Sequence, residues 1–193
     1  MKQQGKFIQL NITEFETWLN KLNIARQINM LQCHHTWQPN YHNYNTVDPF
    51  QLMKNMESFQ VQELGKTGVT MICQNATTFP DGNIMICRDF SIAPAGIHKN
   101  NIGALCIENI GNFDIGGDIM NDIHKQTIIN LYTLLCKKFN IVPSTNTIVY
   151  HHWFDLYSGL RTNGKGITKS CPGTNCVSIM ASGNTIYLHN RYI

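Results

Sequence analysis

The sequence predicts one α/β domain, with a mixed central β-sheet and helices packed against it. Stretches of strand-like apolar residues alternate with stretches of helical apolar spacing from end to end, and no repeat, low-complexity tract or linker interrupts them. With 193 residues, 42% of them hydrophobic, the chain is long enough to bury one core and short enough to form a single domain over residues 1–193.

Taken in order, Thr13 and Glu16 form a capping-box pair, and Phe15, Trp18, Leu19 and Leu22 follow at helical spacing. Residues up to about 27 therefore read as a helical N-terminal extension. Ile28 to Cys33 reads as a strand that ends at His34. Asp48 is an N-cap with Pro49 at the first helical position, Phe50, Met53, Phe59 and Leu64 continue the helix, and Gly65 is a suitable stop. The turn residues Phe79-Pro80-Asp81-Gly82-Asn83 join Val69–Thr78 to Ile84–Cys87 as a hairpin. Gly103–Ile110, apolar except for Glu108 and Asn109, reads as a buried central strand. The longest helix runs from about Met120 to Asn140 and carries Ile123, Ile128, Leu131, Leu135 and Phe139, after which Thr147–Tyr150 forms a strand running into His151.

Composition narrows the function. A net charge of +3, with 14% charged residues and scattered Lys and Arg, gives no nucleic-acid stripe; the mild positive bias suits an anionic polymer. The seven cysteines (33, 73, 87, 106, 136, 171 and 176) are an odd number, and four of them (33, 73, 87 and 106) lie in apolar strand-like stretches and read as small buried hydrophobes, so a disulfide framework is not expected. Cys176 reads as a structural thiol, because no complementary Cys pair is available for a closed zinc site. The N-terminus has no continuous apolar run of the signal-peptide kind, and no segment approaches the roughly 18 apolar residues of a membrane span. No stable membrane association is therefore expected, and export or release by another route.

Three sequence-distant segments carry metal-binding chemistry: His34-His35-Thr36, Tyr150-His151-His152, and Thr168-Lys169-Ser170-Cys171-Pro172-Gly173. Two histidines and one late cysteine make a three-ligand zinc set that leaves the fourth tetrahedral position to water or substrate, the arrangement of a catalytic zinc. His34 and His151 stand at strand ends, and Cys171 lies in a Gly/Pro loop able to fold back to them. His152 is the alternative to His151, since neighbours in a strand point to opposite faces and both are not expected to bind one metal. His35 is expected to hydrogen-bond behind the metal ligands or to pack. Protonation of imidazole and thiol should weaken the metal as pH drops through the histidine range. Glu108 is a carboxylate in an apolar strand, a costly placement unless paired, hydrogen-bonded or functional.

These motifs, with Pro80-Asp81-Gly82, the run Ala93-Pro94-Ala95-Gly96-Ile97-His98 and Gly103–Asp114, resemble the zinc-dependent N-acetylmuramoyl-L-alanine amidases of the type 2 class. That class shares its fold with the peptidoglycan recognition proteins and the phage amidase endolysins, and the resemblance runs from about Phe15 to Gly173. It implies one Zn²⁺ held by His34, His151 and Cys171, with Glu108 as general base and Lys169 stabilising the oxyanion. It departs from the family at Tyr150, where a glycine usually precedes the second histidine. His98 and Asn101 fall where the family lines its substrate groove, while Trp37 and Trp153 read either as groove walls or as core residues.

The implied activity is hydrolysis of the amide between N-acetylmuramic acid and the L-alanine of the stem peptide, by a monomer acting on the bacterial cell wall, on peptidoglycan or muropeptides. No separate wall-binding domain is visible in the sequence. The alternative is a recognition protein that binds peptidoglycan without cutting it; such members typically lack the late cysteine that this chain keeps. A third reading, a structural zinc in an ordinary α/β domain, is disfavoured because structural sites usually have four ligands.

Overall fold

In the computed structural model, which describes residues 1–175, the first element is not a helix. β1 (Lys2–Gln4) and β2 (Phe7–Leu10) form an antiparallel hairpin that adds an edge to the sheet, so the N-terminal segment is a strand pair followed by a helix rather than a helical extension. Helix α1 (Ile12–Lys21) starts two residues earlier than Thr13 would place it. Asn11 Oδ1 accepts the Glu14 N–H at 2.9 Å, and Glu14 Oε2 accepts the Asn11 N–H at 3.0 Å, so the capping box is Asn11/Glu14.

β3 (Met30–His35), β4 (Ala76–Thr78), β5 (Ile84–Ile86), β6 (Ala104–Asn109) and β7 (Ile148–Tyr150) complete a seven-stranded sheet in the order β1-β2-β5-β4-β6-β3-β7. The β1 to β4 side is antiparallel, whereas β4, β6, β3 and β7 run parallel, so the sheet is mixed. The expected hairpin strand before Phe79 shrinks to Ala76–Thr78. Residues ahead of it are held irregularly by the Arg88 guanidinium, which donates to the carbonyls of Met71 and Ile72. Gly103–Ile110 contains the expected interior strand, flanked by β4 and β3.

Helix α2 (Tyr41–Thr46) is short and polar, held by a reciprocal Asn40/Asn43 cap. Helix α3 (Pro49–Leu64) has the expected Asp48 N-cap and Gly65 at its end, and helix α4 (Asp122–Phe139) is capped by Asn121 and ends on left-handed Asn140. Strand alternation divides the core. Leu31, Cys33, Leu105, Ile107, Ile84 and Ile86 face one layer with Phe15, Leu19, Ile128, Leu131 and Leu135 from α1 and α4. Met85, Cys87 and Phe79 join Phe50, Leu52 and Met53 of α3 in the other. None of the six described cysteines forms a disulfide, and no described helix is long and apolar enough to cross a membrane.

The same alternation sends Gln32 and His34 of β3 to the face opposite Leu31 and Cys33. That face, toward the ends of the parallel strands, is where the polar chemistry collects.

Candidate metal centre and active site

β3 and β6 lie in parallel register with Gln32 opposite Cys106 and His34 opposite Glu108. On the other edge of β3 the last pair is Cys33 with Tyr150, after which the chain leaves the strand and tightens into a 3₁₀ turn over His151–Trp153. That turn sets the His151 ring against the His34 ring, with centroids 4.8 Å apart. His151 thus reaches the site from a turn just beyond the strand end.

Cys171 comes from a loop fastened at several points. Its carbonyl accepts the His152 N–H at 2.9 Å, Ser170 Oγ donates to Asp114 at 2.9 Å, and the Thr174 N–H donates to Asp114 at 3.2 Å. Gly173 makes the crossing possible: at φ +104° its missing Cβ would lie 2.5 Å from the Phe113 carbonyl oxygen, so a side chain is excluded by both backbone angle and space. So placed, Cys171 Sγ lies 3.5 Å from His34 Nδ1 and accepts the His35 N–H at 3.4 Å.

The ligand-capable atoms of His34, His151 and Cys171 all lie within 4.8 Å of one another. A tetrahedral zinc with Zn–S of about 2.3 Å and Zn–N of about 2.0–2.1 Å separates sulfur from nitrogen by about 3.5 Å, the distance found between Cys171 and His34. The donor set and its spacing therefore fit zinc. A second cluster, His34 with Cys106 and Glu108, shares His34 and includes a cysteine with no exposed surface. His152 is occupied elsewhere: its Nδ1 lies 3.2 Å from the Cys171 carbonyl oxygen, on the loop rather than in the cluster. His35 Nδ1 accepts the Phe113 N–H at 3.1 Å, which puts the proton of a neutral ring on Nε2.

Burial sets the electrostatics. It lowers the His34 pKa well below 6.5, with repulsion from His151 and Lys169 adding to the effect, and brings His151 down to about 4. Both rings are neutral at pH 7, the form that binds metal. The Cys171 thiol is pushed well above its usual range, first by burial and then by Glu108. Glu108 rises to about 8 for the same leading reason, with the Lys169 charge opposing. Its Oε1 lies 4.0 Å from His34 Nδ1, while Oε2 is buried without a hydrogen-bond partner. Lys169 itself is exposed, close enough for its charge to act on His34, Glu108, His151 and Cys171 together.

The remaining sequence candidates divide. Asn101 Oδ1 accepts the backbone N–H groups of Gly96 and Ile97 at 2.9 and 3.1 Å, so its side chain shapes the loop over β3. His98 is exposed on that loop. Trp37 is 58% exposed, as a groove wall would be, whereas Trp153 is 6% exposed, packs in the core and stacks under Arg161. Cys176 lies outside the described residues. Sequence reasoning did not find Asp114 as the anchor of the Cys171 loop; an acidic residue closing Gly111-Asn112-Phe113-Asp114 was the available signal.

No protein-family model matches the sequence, and no curated protein matches it. Solved structures do match its fold. Drosophila PGRP-LB superposes with a TM-score of 0.63 at 18% identity, covering 89% of each chain. Peptidoglycan recognition protein-LE in complex with tracheal cytotoxin gives 0.62 at 19% identity over 86% of each chain. The N-acetylmuramoyl-L-alanine amidase LysC from Clostridium intestinale gives 0.55 at 20% identity over 83% of this chain and 89% of that one. The mixed sheet, its flanking helices and the strand ends that carry His34 and Glu108 thus belong to the fold shared by peptidoglycan recognition proteins and N-acetylmuramoyl-L-alanine amidases.

Proposed function

We propose that this protein is a zinc-dependent peptidoglycan hydrolase that cuts the amide between N-acetylmuramic acid and the L-alanine of the stem peptide, acting on the bacterial cell wall. The observation that carries this reading is a buried carboxyl without a hydrogen-bond partner on Oε2, Glu108, set beside a three-donor cluster whose spacing fits zinc. A site used only for recognition has no need of a proton-transfer group there. The neighbours named above support the substrate class, since one is an amidase and another was solved with a monomeric diaminopimelic acid-type peptidoglycan fragment.

His34, His151 and Cys171 would hold one zinc ion, which supplies Lewis acidity at the scissile carbonyl and makes water easier to deprotonate. Glu108 takes the proton of the attacking water and returns it to the leaving amine nitrogen; a carboxyl poised near neutrality can do both. The Lys169 ammonium opposes the negative charge that develops on the carbonyl oxygen. Trp37, exposed beside the strand end, offers an apolar wall to sugar or peptide.

Mass spectrometry of defined muropeptides after incubation with the zinc-loaded protein tests this reading. The expected result is one product pair, the free stem peptide and the intact lactyl-sugar. Saturable binding without products would replace it with the recognition reading, which the fold also accommodates.

A further inference from the structure

Two buried polar atoms on the same face of β3 have no hydrogen-bond partner, and they sit two residues apart: Gln32 Oε1 and His34 Nε2. Both face the loop that Asn101 holds down. A Cβ placed on Gly96 would lie 2.3 Å from Gln32 Oε1, 3.0 Å from Cys106 Sγ and 3.2 Å from His34 Nε2, so the two unpartnered atoms border one small space beneath that glycine, with the Cys106 thiol as its third wall. Leaving a buried donor or acceptor unpaired is costly, and here both lack a partner beside each other.

The chemistry of the two groups is complementary. His34 turns Nδ1 toward Cys171, at 3.5 Å, so a ring that gives Nδ1 to a metal must carry its proton on Nε2. The Gln32 amide is fixed in the matching sense: its Nε2 donates to the Asn100 carbonyl at 2.8 Å, which leaves Oε1 as the end that meets the histidine. Gln32 has no exposed surface, and a polar side chain between Leu31 and Cys33 gains nothing from burial unless it is hydrogen-bonded.

We propose that Gln32 is a positioning residue: a small turn of the His34 ring or of the Gln32 amide brings the two unpartnered atoms together, so that Oε1 accepts the Nε2–H and holds the ring in the Nε2-protonated tautomer with Nδ1 presented to zinc. The inference rests on the zinc reading above for its purpose, but its tautomer claim stands on the metal-free protein alone. Gly96 is part of the device. Only a residue without a Cβ lets the loop close over the two atoms without displacing the amide oxygen.

The test uses Gln32→Met, which keeps length and removes the acceptor, and Gln32→Glu, which restores an acceptor oxygen. In metal-free protein, nitrogen NMR of the His34 ring should show the Nε2–H tautomer in wild type and in Gln32→Glu, and loss of that preference in Gln32→Met. Zinc affinity by chelator competition should fall about 10–100-fold in Gln32→Met and recover in Gln32→Glu. If Gln32→Met fails to fold, Gly96→Ala replaces it: the new Cβ evicts the amide oxygen and should produce the same loss of tautomer and affinity. An unchanged His34 tautomer, or zinc affinity within twofold of wild type, in the folded variant overturns the proposal. Absence of zinc binding by the wild type would instead overturn the metal reading, while the tautomer measurement still decides the role of Gln32.

Discussion

His124 is one of the buried histidines through which acid should destabilise this protein, and it lies away from the candidate metal centre. It lies on the buried face of α4 with no exposed surface, its Nδ1 2.8 Å from the Tyr41 hydroxyl and its Nε2 2.7 Å from Thr78 Oγ1. Burial brings its pKa down from 6.5 to about 3, against smaller opposing effects of Thr78 and Asp81. Between those values the unfolded chain binds a proton that the folded chain refuses, so stability falls as pH drops through 6.5 and stops falling below the folded value. Each pH unit in that window costs about 1.4 kcal/mol, or about 2 kcal/mol by pH 5. His124→Gln keeps a donor and an acceptor but cannot titrate. At pH 7 it should be less stable than wild type by about 1–3 kcal/mol, the usual cost of disturbing a buried polar pair. By pH 5 that gap should close by about 2 kcal/mol. Urea unfolding of both metal-free proteins, followed by tryptophan fluorescence at pH 7 and pH 5, measures it. His34 and His151 act equally in both proteins and cancel in the difference. A gap that stays constant between the two pH values would show that His124 does not carry the acid sensitivity.

Three further outcomes follow from the active-site geometry. Glu108→Gln should keep fold and zinc but lose about 10²–10⁴-fold in turnover on muropeptides, and near-normal turnover in the zinc-loaded variant would return that carboxyl to a structural role. Lys169→Met should reduce kcat with little change in fragment affinity, by an amount corresponding to about 2.7–4 kcal/mol of transition-state stabilisation; calorimetry and kinetics on the same preparation separate this from a lysine that merely binds a stem-peptide carboxylate. Because burial keeps His34 and His151 deprotonated and Cys171 and Glu108 largely protonated at pH 7, zinc uptake should release protons from the thiol and from the Glu108 carboxyl that meets the ion's charge, and Cys171→Ser should reduce that release in an unbuffered titration. Proton competition for the cysteine therefore already weakens zinc across neutral pH, and the histidines join only in stronger acid than their ordinary pKa suggests.

What the sequence made legible depended on how local the cause was. β6 could be read because Ala104 to Ile107 are apolar and Glu108 breaks the run, and α3 because Asp48-Pro49 marks its start. β1 and β2 were hidden: they are three and four residues long, and the buried pair Phe7 and Leu10 sits at a spacing that suits a helix as well as a strand. α2 has no apolar stripe, and its two asparagines cap each other. His34, His151 and Cys171 were readable as a set by residue type, but their meeting depends on the β3–β7 register and on Asp114 pinning a loop 56 residues later. Gln32 carried no signal beyond being polar in an apolar run, since its neighbours Asn100 and Gly96 come from a distant loop.

The span between His34 and Cys171, 137 residues apart in sequence, gives the proposed zinc a mechanical meaning. An ion gripping both would join about four-fifths of the described chain into one ring, and closing a ring of that size restricts the unfolded chain by about 5 kcal/mol in the loop-entropy model. The strand that supplies His34 is locked between two neighbours, whereas the loop that supplies Cys171 is held by contacts to Phe113, Asp114 and His152. Stripping the metal would accordingly leave the sheet in place and release the cysteine loop first, so that cleavage by a protease near residues 165–175 becomes a sensitive report of whether the ion is bound.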